Sequence, residues 1–226
     1  MPDWLQLMLD SLPKLLWAAL IFTAPLTLLS FVLGLIVGLL TALARLFGPK
    51  PVAAAARFYV WIFRGTPLLV QLFLIFYGLP SAGILLDAFT AALIGFTLNI
   101  GAYSSEIIRA VIASVPRGQW EAAYSIGMTW SQAMRRTILP QAARIAVPPL
   151  SNTFISLVKD TSLAAAITVP EMFQAAQRIV ATTYEPLILY VEAALLYLAM
   201  SSVLSALQVR LEARLNRYGG FLEARA

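Results

Sequence analysis

Lys159 and Asp160 are adjacent charged residues in a stretch, Ser151 to Val169, that is otherwise apolar or weakly polar. Lys159 lies ten residues beyond Pro149, which is roughly 15 Å along a helix. An unpaired ammonium at that depth in a bilayer is strongly unfavourable, and intramembrane charges tend to face a bundle interior or a water-filled route. Sequence neighbours do not face each other on a helix. Each of the two therefore needs a partner elsewhere, such as Glu106 or Glu192, or a break in the helix. Asn99, Tyr103 and Glu106 are spaced four and then three apart, so they share one helical face. Together with Thr161, these residues are candidates to line or gate a route for a small polar solute. Inter-helix hydrogen bonds and a buried ion pair are the alternative use of the same residues. Arg64, ahead of Gly65-Thr66-Pro67, reads in the first instance as a snorkelling side chain at a helix start.

Other chemistry finds little support. The chain contains no His and no Cys, which removes imidazole and thiol catalysis and the usual zinc and haem sites. There is no GxxxxGK(S/T) phosphate loop, no nucleophile–base set, and the acidic residues are scattered singly. The basic residues lack the interleaved aromatics that stack bases. No catalytic residue, no metal, no cofactor bound by this chain and no nucleic-acid partner are expected. Transport is what remains.

The elements that would position these residues follow from hydropathy. Of the 226 residues, 60% are hydrophobic and 12% charged, against roughly 25% charged in soluble domains. Thirty uncharged residues separate Lys14 from Arg45, twenty-two separate Arg64 from Asp87, and eighteen separate Asp87 from Glu106. A span needs about 20 mostly apolar residues. The chain is expected to be all-α, a single polytopic membrane domain over 1–226 with five transmembrane helices near 15–44, 65–86, 88–112, 148–170 and 186–209. Residues 1–14 read as a short interfacial helix, and the first apolar run is too long for a cleaved signal peptide. Residues 51–64 read as an oblique interfacial helix, and Gly34 with Gly38 as a close-packing pair. Thirteen basic residues fall in alternate segments (Arg45 to Arg64, Arg109 to Arg144, Arg210 to Arg225), against Lys14 and Arg178 in the others. The positive-inside rule then puts the N-terminus outside and the central segment and C-terminus in the cytoplasm.

That central segment, 118–140, is amphipathic: a short helix, a glycine break, and a basic second helix ended by Leu139-Pro140. Glu121-Ala122-Ala123, three residues, Gly127, nine residues and then Thr137-Ile138-Leu139-Pro140 resembles the EAA loop of ABC importer permeases, with Thr137 at a position where the family pattern has Ile. Phe63-Arg64-Gly65-Thr66-Pro67, Gly118-Gln119-Trp120-Glu121 and Leu157-Val158-Lys159-Asp160-Thr161-Ser162 are similar to the polar amino-acid uptake group, and within it to bacterial cystine permeases. The resemblance implies a type I importer of the bacterial inner membrane: a permease homodimer, two cytoplasmic ATPases that bind ATP and Mg, and an extracytoplasmic amino-acid-binding protein. It also implies that Glu121, Ala122, Ala123, Tyr124, Gly127, Leu139 and Pro140 form the coupling element, a cytoplasmic coupling helix between spans three and four. The implied substrate is L-cystine, with glutamine, arginine or histidine as alternatives. An autonomous secondary transporter or channel is the less favoured reading.

Overall fold

The computed structural model describes residues 2–217, with side chains followed through Arg214. Arg225, counted above among the C-terminal basic residues, and the last part of the expected domain lie outside them. Among the described residues there is no strand. The chain starts as one long helical rod: α1 (Asp3–Ala18), a π-helical turn (Ala19–Thr23) and α2 (Ala24–Phe47). The expected separate interfacial helix over 1–14 is thus continuous with the first span. α3 (Lys50–Gly65) follows and meets α4 (Leu68–Phe73), a π turn (Leu74–Gly78) and a 3-10 turn (Leu79–Ala82) at a bend of 107°. Next come α5 (Ala88–Ser114), α6 (Arg117–Ser125), α7 (Trp130–Ala133), a third π turn (Met134–Ile138) and α8 (Leu139–Asp160). A 3-10 segment (Thr161–Ile167), α9 (Met172–Thr183) and α10 (Pro186–Arg217) complete the described chain.

Among the described residues, Asp3–Phe47, Ala88–Ser114 and Pro186–Arg214 are long and apolar enough to cross a membrane, and the bent α3–α4 pair makes up to a fourth crossing. The expected fourth span, 148–170, corresponds to α8 and its 3-10 continuation. α8 contains Arg144, Lys159 and Asp160 along with several hydroxyl residues, and does not qualify by composition.

Each π turn ends two residues before a proline: Thr23 before Pro25, Gly78 before Pro80, and Ile138 before Pro140. A proline in a helix clashes with the carbonyl four residues back and cannot donate to it. Those carbonyls belong to Ile21, Phe76 and Arg136, each at the centre of its π turn. The wider turn moves the carbonyl away from the ring, so the helix continues. This corrects the reading of Leu139-Pro140 as the end of a helix: Pro140 sits in the first turn of α8, which also runs through Pro148 and Pro149.

α5 is the central post. α2 lies against it at the glycine pair, where a Cβ on Gly34 would stand 2.6 Å from Ile100 Cγ2, and one on Gly38 would stand 2.9 Å from Ser104 Cβ. Only the missing side chains allow that approach. Asp87 caps α5 by accepting from the Thr90 N–H at 3.0 Å, and its hydrogen bonds to Thr90 hold the Asp87 carboxyl below its usual value. Three apolar clusters hold the bundle, two of them built on α5 and the third between α1, α9 and α10. One, at the α6–α8 end, joins Ala42, Ile112, Met134 and Ile138; a middle one joins Leu26, Leu72, Phe96 and Leu157; the third joins Leu15, Met172 and Ala193.

Candidate functional site

The polar residues singled out by spacing converge on one cleft of about 570 Å³. Its walls are the α3–α4 break (Arg64, Thr66, Pro67), α5 (Asn99, Tyr103, Glu106) and α8 (Asn152, Ser156, Asp160). The break explains the first wall. Phe63 O would ordinarily accept from the N–H of residue 67, but Pro67 has none. The Gln71 side-chain amide takes its place, donating to Phe63 O at 2.9 Å, Thr66 O at 3.0 Å and Thr66 Oγ1 at 2.9 Å. Gln71 is buried, and its Oε1 accepts from Asn99 Nδ2 at 3.0 Å. Asn99 therefore faces the cleft and also fixes the break. Gln71 was not among the expected site residues; a lone amide four positions after a proline, inside an apolar run, was the available signal.

Glu106 is not the partner of Lys159. Its Oε1 accepts from Arg45 at 2.5 Å and lies 3.6 Å from Arg64, while its Oε2 is 2.9 Å from Arg109. Arg64 is not merely snorkelling, since its guanidinium also sits over the Tyr103 ring, 5.4 Å from the centroid. Tyr103 is 43% exposed toward the cleft. Tyr59 of α3 donates to Leu98 O of α5.

On the opposite wall Asp160 reaches the cleft, whereas Lys159 is exposed and outside its lining. Among the described residues neither is within ion-pair distance of an opposite charge on another element. The separation comes from the helix itself, which turns neighbouring side chains apart. Thr161 is fully buried and donates to Val158 O at 2.7 Å, at the point where α8 tightens into the 3-10 segment. It supports the wall and does not line it. Glu192 is buried elsewhere, bonded to Ser11 at 2.5 Å.

The 118–140 segment contributes no residue to the lining of this cleft and is exposed along much of α6. Glu121, Ala122 and Tyr124 of α6 face outward, while Ala123 turns inward. The Gly127 N–H donates to Tyr124 O at 2.9 Å and the Met128 N–H to Ala123 O at 3.1 Å, with Gly127 at φ +80°. Thr129 and Gln132 then start α7 with a reciprocal capping box. Gln141 of α8 donates to Gln119 of α6 at 3.0 Å and to Thr137 O, tying α6 to the first turn of α8. Met134 and Ile138, next to Leu139 and Pro140, are buried in the cluster with Ile112 of α5. Pro140 itself is exposed.

Residues 30–217 match the family described as the inner membrane component of binding-protein-dependent transport systems. The chain belongs to that family. The L-cystine transport system permease TcyB of Bacillus subtilis is 52% identical over 214 residues, covering 94% of this chain and 92% of TcyB. The arginine transport system permease ArgU of Corynebacterium glutamicum is 41% identical over 210 residues, covering 86% of this chain and 66% of ArgU. A crystal structure of an amino acid ABC transporter with histidines has a chain that superposes with TM-score 0.88 at 37% identity, covering 95% of this permease and 99% of that chain. The permease is thus a multi-pass inner-membrane subunit of the ABC importer family, in its amino-acid uptake group, and a transport component and not an enzyme.

Proposed function

We propose that this permease carries L-cystine inward as half of a homodimer, with five spans, its N-terminus outside and its C-terminus in the cytoplasm. α6 acts as the coupling helix, seated on a cytoplasmic ATPase that binds ATP and Mg, and an extracytoplasmic binding protein delivers the substrate. The similarity to TcyB favours cystine over arginine, glutamine or histidine. The observation that carries the reading is the mixed charge of the cleft, with Arg64 and the Glu106 cluster on one wall, Asp160 on the other, and amides and hydroxyls between. An amino acid presents a carboxylate and an ammonium, which bind best to opposite charges with hydrogen bonds. The cleft volume also lies in the range of about 300–1,000 Å³ typical of small-molecule sites.

The basic central segment supports the cytoplasmic placement of α6. Its exposed face, with Tyr124 beside Trp120 at 6.2 Å between ring centroids and Ile126 projecting, suits insertion into a groove of a partner. The test is uptake of labelled L-cystine by cells whose only cystine uptake system is this permease with its ATPase and binding protein. Unlabelled L-cystine should compete at lower concentration than arginine, glutamine or histidine. Asp160→Asn should raise the KM about tenfold, the scale of a lost charge-assisted hydrogen bond, with the protein still in the membrane. Stronger competition by arginine would overturn the cystine assignment, and an unchanged KM would remove Asp160 from the route.

A further inference from the structure

A second cleft, of about 460 Å³, lies beside the first and is lined by Arg45, Arg57, Trp61, Arg64, Tyr103 and Glu106. Its charge does not balance. Glu106 already meets Arg45 and Arg109, with Arg64 further off at 3.6 Å. Arg57 is exposed, and among the described residues it has neither a hydrogen-bond nor an ion-pair partner. Three guanidinium groups therefore face the space around one carboxylate whose oxygens are occupied. Arg57, Trp61 and Arg64 follow each other at i, i+4 and i+7, forming one stripe of α3. Phe58 and Trp61 stack at 5.8 Å beside that stripe and are 60% and 70% exposed.

We propose that this cleft binds the phosphate oxyanion of an anionic phospholipid headgroup. Paired guanidinium groups suit phosphate oxygens, which accept two parallel hydrogen bonds from each fork. Aromatic rings concentrate at headgroup depth, and basic residues near a span end recognise anionic lipid. Inorganic phosphate offers the same oxyanion but has no acyl chains to cover Phe58 and Trp61, so the lipid is the source that fits the whole surface. Arg64 and Tyr103 border both clefts, so an occupied headgroup site would draw Arg64 from Glu106 and alter the neighbouring substrate cleft.

The test is native mass spectrometry of the purified full-length chain in neutral detergent. It would be titrated separately with dioleoylphosphatidylglycerol, dioleoylphosphatidylcholine and inorganic phosphate. The wild type should retain phosphatidylglycerol in preference to phosphatidylcholine. Arg57→Gln should reduce that preference about fivefold, the contribution of one basic residue near an anionic surface, with an unchanged thermal midpoint. Arg178→Gln, which removes the same charge from α9, should leave the preference intact. An equal loss in Arg178→Gln would show a general charge effect and overturn the site. Inorganic phosphate displacing the bound lipid, or no lipid preference in the wild type, would overturn the lipid as its ligand.

Discussion

Gly127→Val is expected to abolish ATP-coupled uptake while the chain stays in the membrane at wild-type amounts. Gly127 closes α6 with φ +80°, and a Cβ there would meet nothing within 4 Å. The obstacle is therefore the backbone and not a clash. A non-glycine residue in the left-handed region costs roughly 1–2 kcal/mol, and a β-branched one is a conformational outlier there. That cost is small beside the bundle's three apolar clusters, but it falls on the turn that orients α6 against the start of α8. Asn enters the left-handed region more readily than other side chains, so Gly127→Asn should retain most of the uptake. Membrane amounts by immunoblot and uptake rates of both variants supply the check. Normal uptake by the valine variant would contradict the coupling role of α6. Equal loss in the asparagine variant would indicate crowding of a partner instead of backbone strain.

Glu106→Gln is expected to weaken the fold as well as transport. It leaves Arg45, whose side chain is 13% exposed, and Arg109 and Arg64 gathered around an uncharged amide. Removing one member of a buried pair costs roughly 3–5 kcal/mol, and the 22% exposure of the Glu106 side chain places this case toward the low end, about 3 kcal/mol. A lower thermal midpoint of the purified chain should accompany the loss of uptake. The double variant Arg45→Gln/Glu106→Gln should recover part of the midpoint, because neighbours in one network do not add. Lost uptake with an unaltered midpoint would make Glu106 a purely substrate-facing group.

Much of this site was legible because helix period alone places Asn99, Tyr103 and Glu106 on one face, and they do meet in one cleft with Asp160. The partners were harder to read. Arg45, Arg64 and Glu106 come from three elements, and nothing local in the sequence announces that they meet. Lys159 and Asp160 were expected to point apart and they do, but among the described residues neither meets the opposite charge on another element that was expected for it. Thr161 falls where the helix tightens, a change of pitch that composition does not signal. Leu139-Pro140 was read as a helix end because propensity knows only the ordinary α-helix, whereas a π turn ahead of Pro140, like the one ahead of Pro25, lets the helix continue. The glycine pair was legible as a packing signal, although its partner surface on α5 was not.

Under the proposed function, this permease moves an amino acid only when an ATPase drives it through α6. The most direct measurement is uptake of labelled L-cystine into proteoliposomes made with the purified permease alone, or with its ATPase and binding protein and ATP on the ATPase side. Accumulation is expected only in the complete, ATP-supplied vesicles, and is expected to be lost there with Gly127→Val. Uptake into vesicles holding the permease alone would contradict ATPase-driven transport.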